Sequence, residues 1–245
     1  MTRALSEAAA DAATCPRCRL AETRTQVVFG AGDPAADLMF IGEAPGFHED
    51  TQGEPFVGAA GQLLTRMLAE IGRRREDVYI ANVLKCRPPA NRDPLPDEIE
   101  ACTPWLVEQI SIIQPMVVTT LGNFATKFVL NTSQGITRLR GQTFPWHGRT
   151  VIPTFHPAAI LRSGGDGSKA FEVFREDFAL ISRTLQALYE APAASAPADA
   201  AGGGTAVGEG QLELFLCEPS CEPRPPTTRE RSGRPSPGCS GHATP

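Results

Sequence analysis

Four short apolar runs, alternating with stretches of helical periodicity, decide most of what this chain can become. Leu38-Met39-Phe40-Ile41, ending at Gly42, reads as a strand, and Leu63, Leu64, Met67, Leu68 and Ile71 then recur at helical spacing within residues 60–71. Residues 78–83 (VYIANV) form a second strand. Pro96-Asp97-Glu98 opens a helix, because proline costs nothing where the N–H has no partner and acids favour the positive end of the macrodipole. That helix runs to about Ile113 and stops near Pro115. Residues 116–121 are a third strand, with a short helix from Asn123 through Leu130, and residues 150–155 a fourth, whose Pro153 points to an edge or terminal position. A last amphipathic helix covers about 170–189. Such alternation implies right-handed crossovers and an α/β class: a three-layer α/β/α sandwich around a mainly parallel four-stranded sheet. No internal repeat is visible.

The pattern ends near residue 190 of 245. Residues 191–245 hold nine prolines and eight glycines with one apolar cluster, too little to offset ordering entropy. The expectation is one domain over 1–190 and a disordered tail over 191–245. A net charge of −5 excludes a protein that coats nucleic acid by bulk charge, but not one that grips a few phosphates. Arg73-Arg74-Arg75 reads as solvated surface, whereas Arg138 and Arg140, between Gly135 and Gly141, read as loop contacts to phosphate. No apolar run reaches the roughly 18 residues of a membrane span. The start, MTRALSEAAADAAT, lacks an apolar signal core, so a cytoplasmic setting is expected.

In open α/β sheets, ligands bind outside the carboxyl ends of the strands. Glu43, Asn82 and His156 each fall there, far apart in sequence yet directed to one edge. Phe56 sits in a loop bounded by Gly53 and Gly58, where a core role is the blander alternative. Four of the seven cysteines lie in the folded part: Cys15 and Cys18 in a C-x2-C pair, then Cys86 and Cys102. In a cytoplasm they read as a metal site rather than disulfides, with Cys86 and Cys102 as plain core residues the alternative. Four thiolates suit zinc or a [4Fe–4S] cluster, and spacing does not separate the two.

Taken in order, CPRC at 15–18, GEAPG at 42–46, GEPFVGAAGQLL at 53–64, NVLKCRPPANRDP at 82–94, Cys102 and HPAAILR at 156–162 resemble the family 4 uracil-DNA glycosylases. These are the iron–sulfur branch of the uracil-DNA glycosylase superfamily, and the similarity covers about residues 13–188. The resemblance implies that Cys15, Cys18, Cys86 and Cys102 hold a [4Fe–4S] cluster and that the substrate is uracil-containing DNA. The uracil would be flipped out of the stack and its glycosidic bond hydrolysed. Phe56 would stack on the base and Asn82 read uracil O4 and N3–H, with backbone groups of Gly42, Glu43 and Ala44 completing the grip. His156 would stabilise the leaving anion at O2, and Glu43 oppose the sugar cation and orient water. Glu49 is a candidate for excluding the thymine methyl. Ile160, Leu161 and Arg162 would fill the vacated stack or hold a flanking phosphate, with a packed loop the alternative. Relatives that link covalently to uracil-DNA use a GEQPG turn and an inserted Lys-Arg-Arg-Ile-His loop; this chain has Ala44 and no insertion between 135 and 142. Turnover is therefore expected. The rivals are a protein that binds uracil-DNA without turnover and a zinc-stabilised nucleotide-binding module.

In the tail, Gln211, Leu212, Leu214 and Phe215 resemble the short bacterial sliding-clamp-binding motif. The picture is of a monomer, bacterial-type, cytoplasmic and nucleoid-associated.

Overall fold

The structure, a computed structural model, describes residues 3–191. In chain order its elements are α1 (Leu5–Ala13), β1 (Ala31–Gly32), β2 (Leu38–Gly42), α2 (Phe47–Gln52), α3 (Ala59–Glu70) and β3 (Tyr79–Asn82). There follow α4 (Pro96–Ile113), β4 (Val117–Leu121), α5 (Asn123–Leu130) and α6 (Ile136–Leu139). β5 (Phe144–Trp146), β6 (Arg149–Thr154), α7 (Pro157–Arg162) and α8 (Lys169–Glu190) complete the set. The clamp-like motif at 211–215 lies outside the described residues.

The four strands read from the sequence form the parallel centre, in the order β3-β2-β4-β6. The sheet is wider than the four strands expected. β1 pairs antiparallel with β3 and β5 antiparallel with β6, which makes six. A two-residue β1 and the Phe-Pro-Trp of β5 are too short to show a period-2 pattern. Pro153 sits within β6 opposite Thr120, but the β5 pairing reaches only Val151. The N–H of Thr150 donates to Met116 on the β4 side. Pleating therefore turns the nitrogen of Pro153 outward, past the end of β5, where no donor is needed.

Alternation along β2 builds two cores. Leu38 and Phe40 join Leu64, Met67 and Leu68 of α3 and Phe174, Phe178, Ile181 and Leu185 of α8 on one face. Met39 and Ile41 join Leu106, Ile110 and Ile113 of α4 and Ala125 and Val129 of α5 on the other. The 4-3-4 spacing of the α8 residues puts one stripe against the sheet. A third cluster packs α1, Leu20 and Phe29 around Leu84, Cys86, Cys102 and Trp105. Among the described residues, no helix is long and apolar enough to cross a membrane.

One polar contact locks α8 to the sheet and corrects an expectation. Asp177, fully buried in α8, accepts from Thr154 Oγ1 at 2.6 Å and from Arg140 Nε at 2.9 Å, and it pairs with the Arg140 guanidinium. Arg140 also donates to the Val173 carbonyl at 3.1 Å. It is therefore an internal counterion and not a loop contact to phosphate, because an unpaired Asp177 would be a buried charge. Arg138 remains exposed on α6, with its backbone carbonyl accepting from Gln142.

Candidate active site

The register of the sheet brings the predicted residues together. Gly42 ends β2 directly opposite Asn82 at the end of β3, and the ladder continues past both strands. The N–H of Val83 donates to Gly42 at 2.9 Å and that of Leu84 to Glu43 at 3.0 Å, which pins the turn carrying Glu43 against its neighbour. Gly122 follows β4 with φ +90°, and a side-chain carbon there would stand 2.9 Å from His156 Cβ. The side chain of His156 thus occupies the space beyond β4. Glu43, Ala44, Phe56, Asn82, His156 and Arg162 all line one cleft of about 1300 Å³.

Phe56 holds an unfavourable backbone to reach that cleft. Its φ is +53°, a left-handed conformation that costs a bulky residue energy unless its surroundings enforce it. The enforcement comes from both sides. Arg75 donates to the carbonyls of Pro55 at 2.7 Å and Phe56 at 3.1 Å, while Glu49 Oε1 accepts from the N–H groups of Val57 and Gly58 at 3.1 and 3.2 Å. Gly61 leaves room for the Phe56 carbonyl, which any side chain at 61 would strike. Arg75 is therefore not the solvated surface residue that its run of three arginines implied. Glu49 lines the cleft, but its carboxylate is bound to the start of α3. The Phe56 and His156 rings lie 5.6 Å apart, tilted by 31°.

His156 caps α7: its Nδ1 accepts from the N–H of Ala158 at 3.1 Å. A nitrogen that accepts carries no proton, so the neutral ring bears its hydrogen on Nε2 and presents it as a donor. Burial, with the charge of Arg162, pushes the imidazole pKa down to about 4, against a smaller opposing effect of Glu49. The ring is neutral across the physiological range. Glu43 moves the other way, above the usual carboxylate range, through burial and then the charge of Asp93. Asn82 is almost wholly buried, and its Oδ1 has no hydrogen-bond partner. A buried orphan acceptor is costly in a free protein, and at the base of a cleft it is an acceptor awaiting a donor.

The other candidates separate. Ile160 is 1% exposed and belongs to the core with α3 and α8, which removes it from the DNA-contact set. Leu161 is 39% exposed, and Arg162 is exposed at the cleft.

The four cysteines carry free thiols and gather in the third cluster, Cys86 and Cys102 buried and Cys15 and Cys18 partly so. Three N–H groups point at their sulfurs: Lys85 N to Cys102 at 3.1 Å, Trp105 Nε1 to Cys15 at 3.4 Å, and Arg24 Nη1 to Cys86 at 3.5 Å. Donors aimed at sulfur suit thiolates more than thiols. Burial pushes Cys102 up to about 12, so its ionised form calls for strong compensating positive charge. Among the described residues, no group of three or more His, Cys, Asp or Glu is drawn together as the chelate of a single ion. Lys85, wholly buried, donates to the Asn82 carbonyl at 2.7 Å and to Gln109 at 2.5 Å, joining the cysteine cluster to the cleft. The signal for Lys85 in the sequence is a lone lysine inside the apolar run VLKC.

Comparison with known proteins gives this geometry a family. The profile of the Uracil DNA glycosylase superfamily matches residues 29–179. A type-4 uracil-DNA glycosylase of Archaeoglobus fulgidus is 51% identical over 156 residues, which cover 60% of this chain and 78% of the relative. That of Thermotoga maritima is 50% identical over 151 residues, covering 61% and 79%. More distantly, a type-5 uracil-DNA glycosylase of Thermus thermophilus is 33% identical over 116 residues, covering 41% and 52%. With its cleft, its cysteine cluster and these relatives taken together, the chain belongs to the uracil-DNA glycosylase superfamily and to its type-4 branch.

Proposed function

We propose that this protein extrudes uracil from DNA and hydrolyses its N-glycosidic bond, releasing free uracil and leaving an abasic site for base excision repair. The observation that carries the reading is the unpartnered Asn82 Oδ1 at the base of the cleft shared with His156 and Glu43. Uracil N3–H supplies the missing donor, and the Asn82 amide N–H faces O4. Cytosine, with an acceptor at N3 and a donor at C4, leaves both groups mispaired. Phe56 covers the ring, aided by backbone groups of Gly42, Glu43 and Ala44.

As the C1′–N1 bond breaks, its electron pair moves into the uracil and charge gathers on O2. His156 Nε2–H stabilises that charge without transferring a full proton, since transfer from the neutral ring would leave an imidazolate. Glu43 faces the cationic sugar and orients the water that adds to C1′, accepting its proton. Arg138, Leu161 and Arg162 are the remaining candidates for DNA contact. Cys15, Cys18, Cys86 and Cys102 would hold a [4Fe–4S] cluster, a group larger than one ion, which ties the N-terminal segment to the loop after β3.

The test is incubation with a uracil-containing oligonucleotide followed by alkaline cleavage. Many products per protein molecule are expected, which separates an enzyme from a protein that only traps uracil-DNA. Glu43→Ala and His156→Ala should each slow release by about 10²–10⁴-fold with the fold retained, and unchanged rates would defeat the mechanism. The same reading gives the tail a role: Gln211, Leu212, Leu214 and Phe215 dock a sliding clamp. A 205–220 peptide should bind the clamp and lose that binding on double replacement of Leu214 and Phe215 by alanine.

A further inference from the structure

Two large apolar side chains are exposed among the described residues, Phe47 at 57% and Leu161 at 39%. They are not scattered. Phe47 follows the 43–46 turn after β2, and Leu161 lies in α7 after β6, between Ala159 and Arg162. Residues 43–46, Ala159 and Arg162 all line the cleft. β4 is the one strand between β2 and β6, so the two segments leave the sheet about 10 Å apart, twice the strand spacing. The mouth of the base site therefore carries an apolar side chain on each of its two banks. Leu161 is already a candidate for the vacated stack. Phe47 stands on the opposite bank.

Its surroundings indicate what it meets. The Arg87 guanidinium lies 5.1 Å from the Phe47 ring centroid, and the His48 ring meets it edge-on at 5.5 Å. The residue stays more than half exposed, with the cation lying over one face of its ring. Arg87 is fixed by its bond to Asn91 at 2.7 Å, and the next residue, Pro88, lines the cleft. A ring with a guanidinium over one face and its other side exposed matches a nucleotide, whose base stacks on the open face while its phosphate meets the charge. Phe47 stands four residues beyond Glu43, the group that faces the sugar. It is thus on the same bank as that group.

We propose that Phe47 is a DNA-contact residue whose ring stacks on the base next to the extruded uracil, on the same strand, with Arg87 neutralising the adjoining phosphate. Extrusion strips that neighbour of one stacking partner, and Phe47 supplies a replacement. The inference rests on the uracil-release reading and specifies how DNA is held at that site.

The experiment uses the full chain and an oligonucleotide carrying 2′-fluoro-2′-deoxyuridine, which resists hydrolysis, with 2-aminopurine placed 5′, 3′ or opposite to it. Wild-type protein should quench the 2-aminopurine at one same-strand neighbour. Phe47→Ala should lose that quenching and bind about five- to a hundred-fold more weakly, and Phe47→Trp should restore both. An exposed position makes these replacements safe for folding, which thermal unfolding will check. Phe47→Ala with wild-type affinity and quenching would overturn the proposal, and quenching only of the opposite base would overturn its strand. Release of uracil by wild-type protein from a cleavable substrate is measured in parallel. If that fails, the function falls; if it succeeds while Phe47→Ala binds and quenches as wild type does, only the role of Phe47 falls.

Discussion

A side-chain carbon on Gly42 would overlap the carboxamide oxygen of Asn82 and come within 2.7 Å of the Phe56 ring. The bare backbone at Gly42 is what lets the amide and the phenyl share one pocket. Gly42→Ala forces both to shift, and it should cost about 1–3 kcal/mol of stability as an overpacked site. Uracil release should fall much further, by about a hundredfold or more, since a misplacement near 1 Å is enough. Steady-state rates beside a thermal melt check this; a rate loss no larger than the stability loss predicts would count against a shared pocket.

The pH behaviour of the site follows from two opposite shifts. His156 titrates near 4 in the folded chain against 6.5 ordinarily, so below pH 6.5 the unfolded chain binds a proton that the folded one does not. Stability should fall as pH drops from about 6.5 towards 4, by about 3 kcal/mol in all, and stay unaffected by this group above 6.5. Uracil release should show no inflection near 6.5. Its acid limb should instead reflect one group titrating above the ordinary carboxylate value, Glu43. Glu43→Gln should abolish that limb along with most of the rate. An acid limb near 6.5 that vanishes in His156→Gln would show that the imidazole, not the carboxylate, sets the profile.

The parallel centre of the fold and the meeting of Glu43, Asn82 and His156 could be read from the sequence, because both depend on patterns that local chemistry repeats. Apolar runs mark strands, and their carboxyl ends mark a shared edge. What could not be read depends on single long-range contacts. Nothing around Arg140 announces Asp177, 37 positions away, and nothing in Arg73-Arg74-Arg75 distinguishes the one arginine that reaches Pro55 and Phe56. Ile160 stays ambiguous in the sequence between a stack-filling residue and a packed one, because a six-residue helix shows barely more than one turn of periodicity.

Arg75 is the contact most open to test. It holds two carbonyls of a loop whose Phe56 sits at φ +53°, so its loss should let that loop relax and the phenyl leave the base site. Arg75→Ala should raise KM for uracil-DNA about tenfold while leaving kcat within a few-fold, as expected when uniform base binding is lost. Arg75→Lys should recover only part, because one ammonium cannot reproduce two directed guanidinium bonds. Wild-type KM in Arg75→Ala would mean that Glu49 and Gly61 suffice to hold the loop.

The two arginines that flank the sheet should respond oppositely. Arg140→Ala leaves Asp177 buried and unpaired, and should destabilise the fold by about 3–5 kcal/mol with little change in the salt dependence of DNA binding. Arg162→Ala should barely move the melting temperature, yet lower the slope of log affinity against log salt by about one, the signature of one lost phosphate contact. The pair of measurements, melt and salt titration on each variant, separates internal counterion from DNA contact. A lost salt slope in Arg140→Ala would return that residue to the DNA-contact set.

Removal of the proposed cluster should act locally before it acts globally. The third packing cluster joins α1, Leu20 and Phe29 to Cys86 and Cys102, while the two cores on the sheet contain no cysteine. A chelator with reductant, or a Cys86→Ser/Cys102→Ser double variant, should therefore expose residues 14–24 and 86–95 to protease first and leave the parallel sheet intact. Purified protein should be brown, with about four irons per chain and visible absorption that the double variant loses. Lys85 lies between the two regions, donating to the Asn82 carbonyl and to Gln109. Loss of the cluster should thus reach the site through Asn82, lowering uracil affinity before the far-ultraviolet circular dichroism changes. Colourless, zinc-loaded protein with full activity would require a different metal for these four cysteines, and simultaneous loss of sheet signal and colour would show that the cluster supports the whole fold.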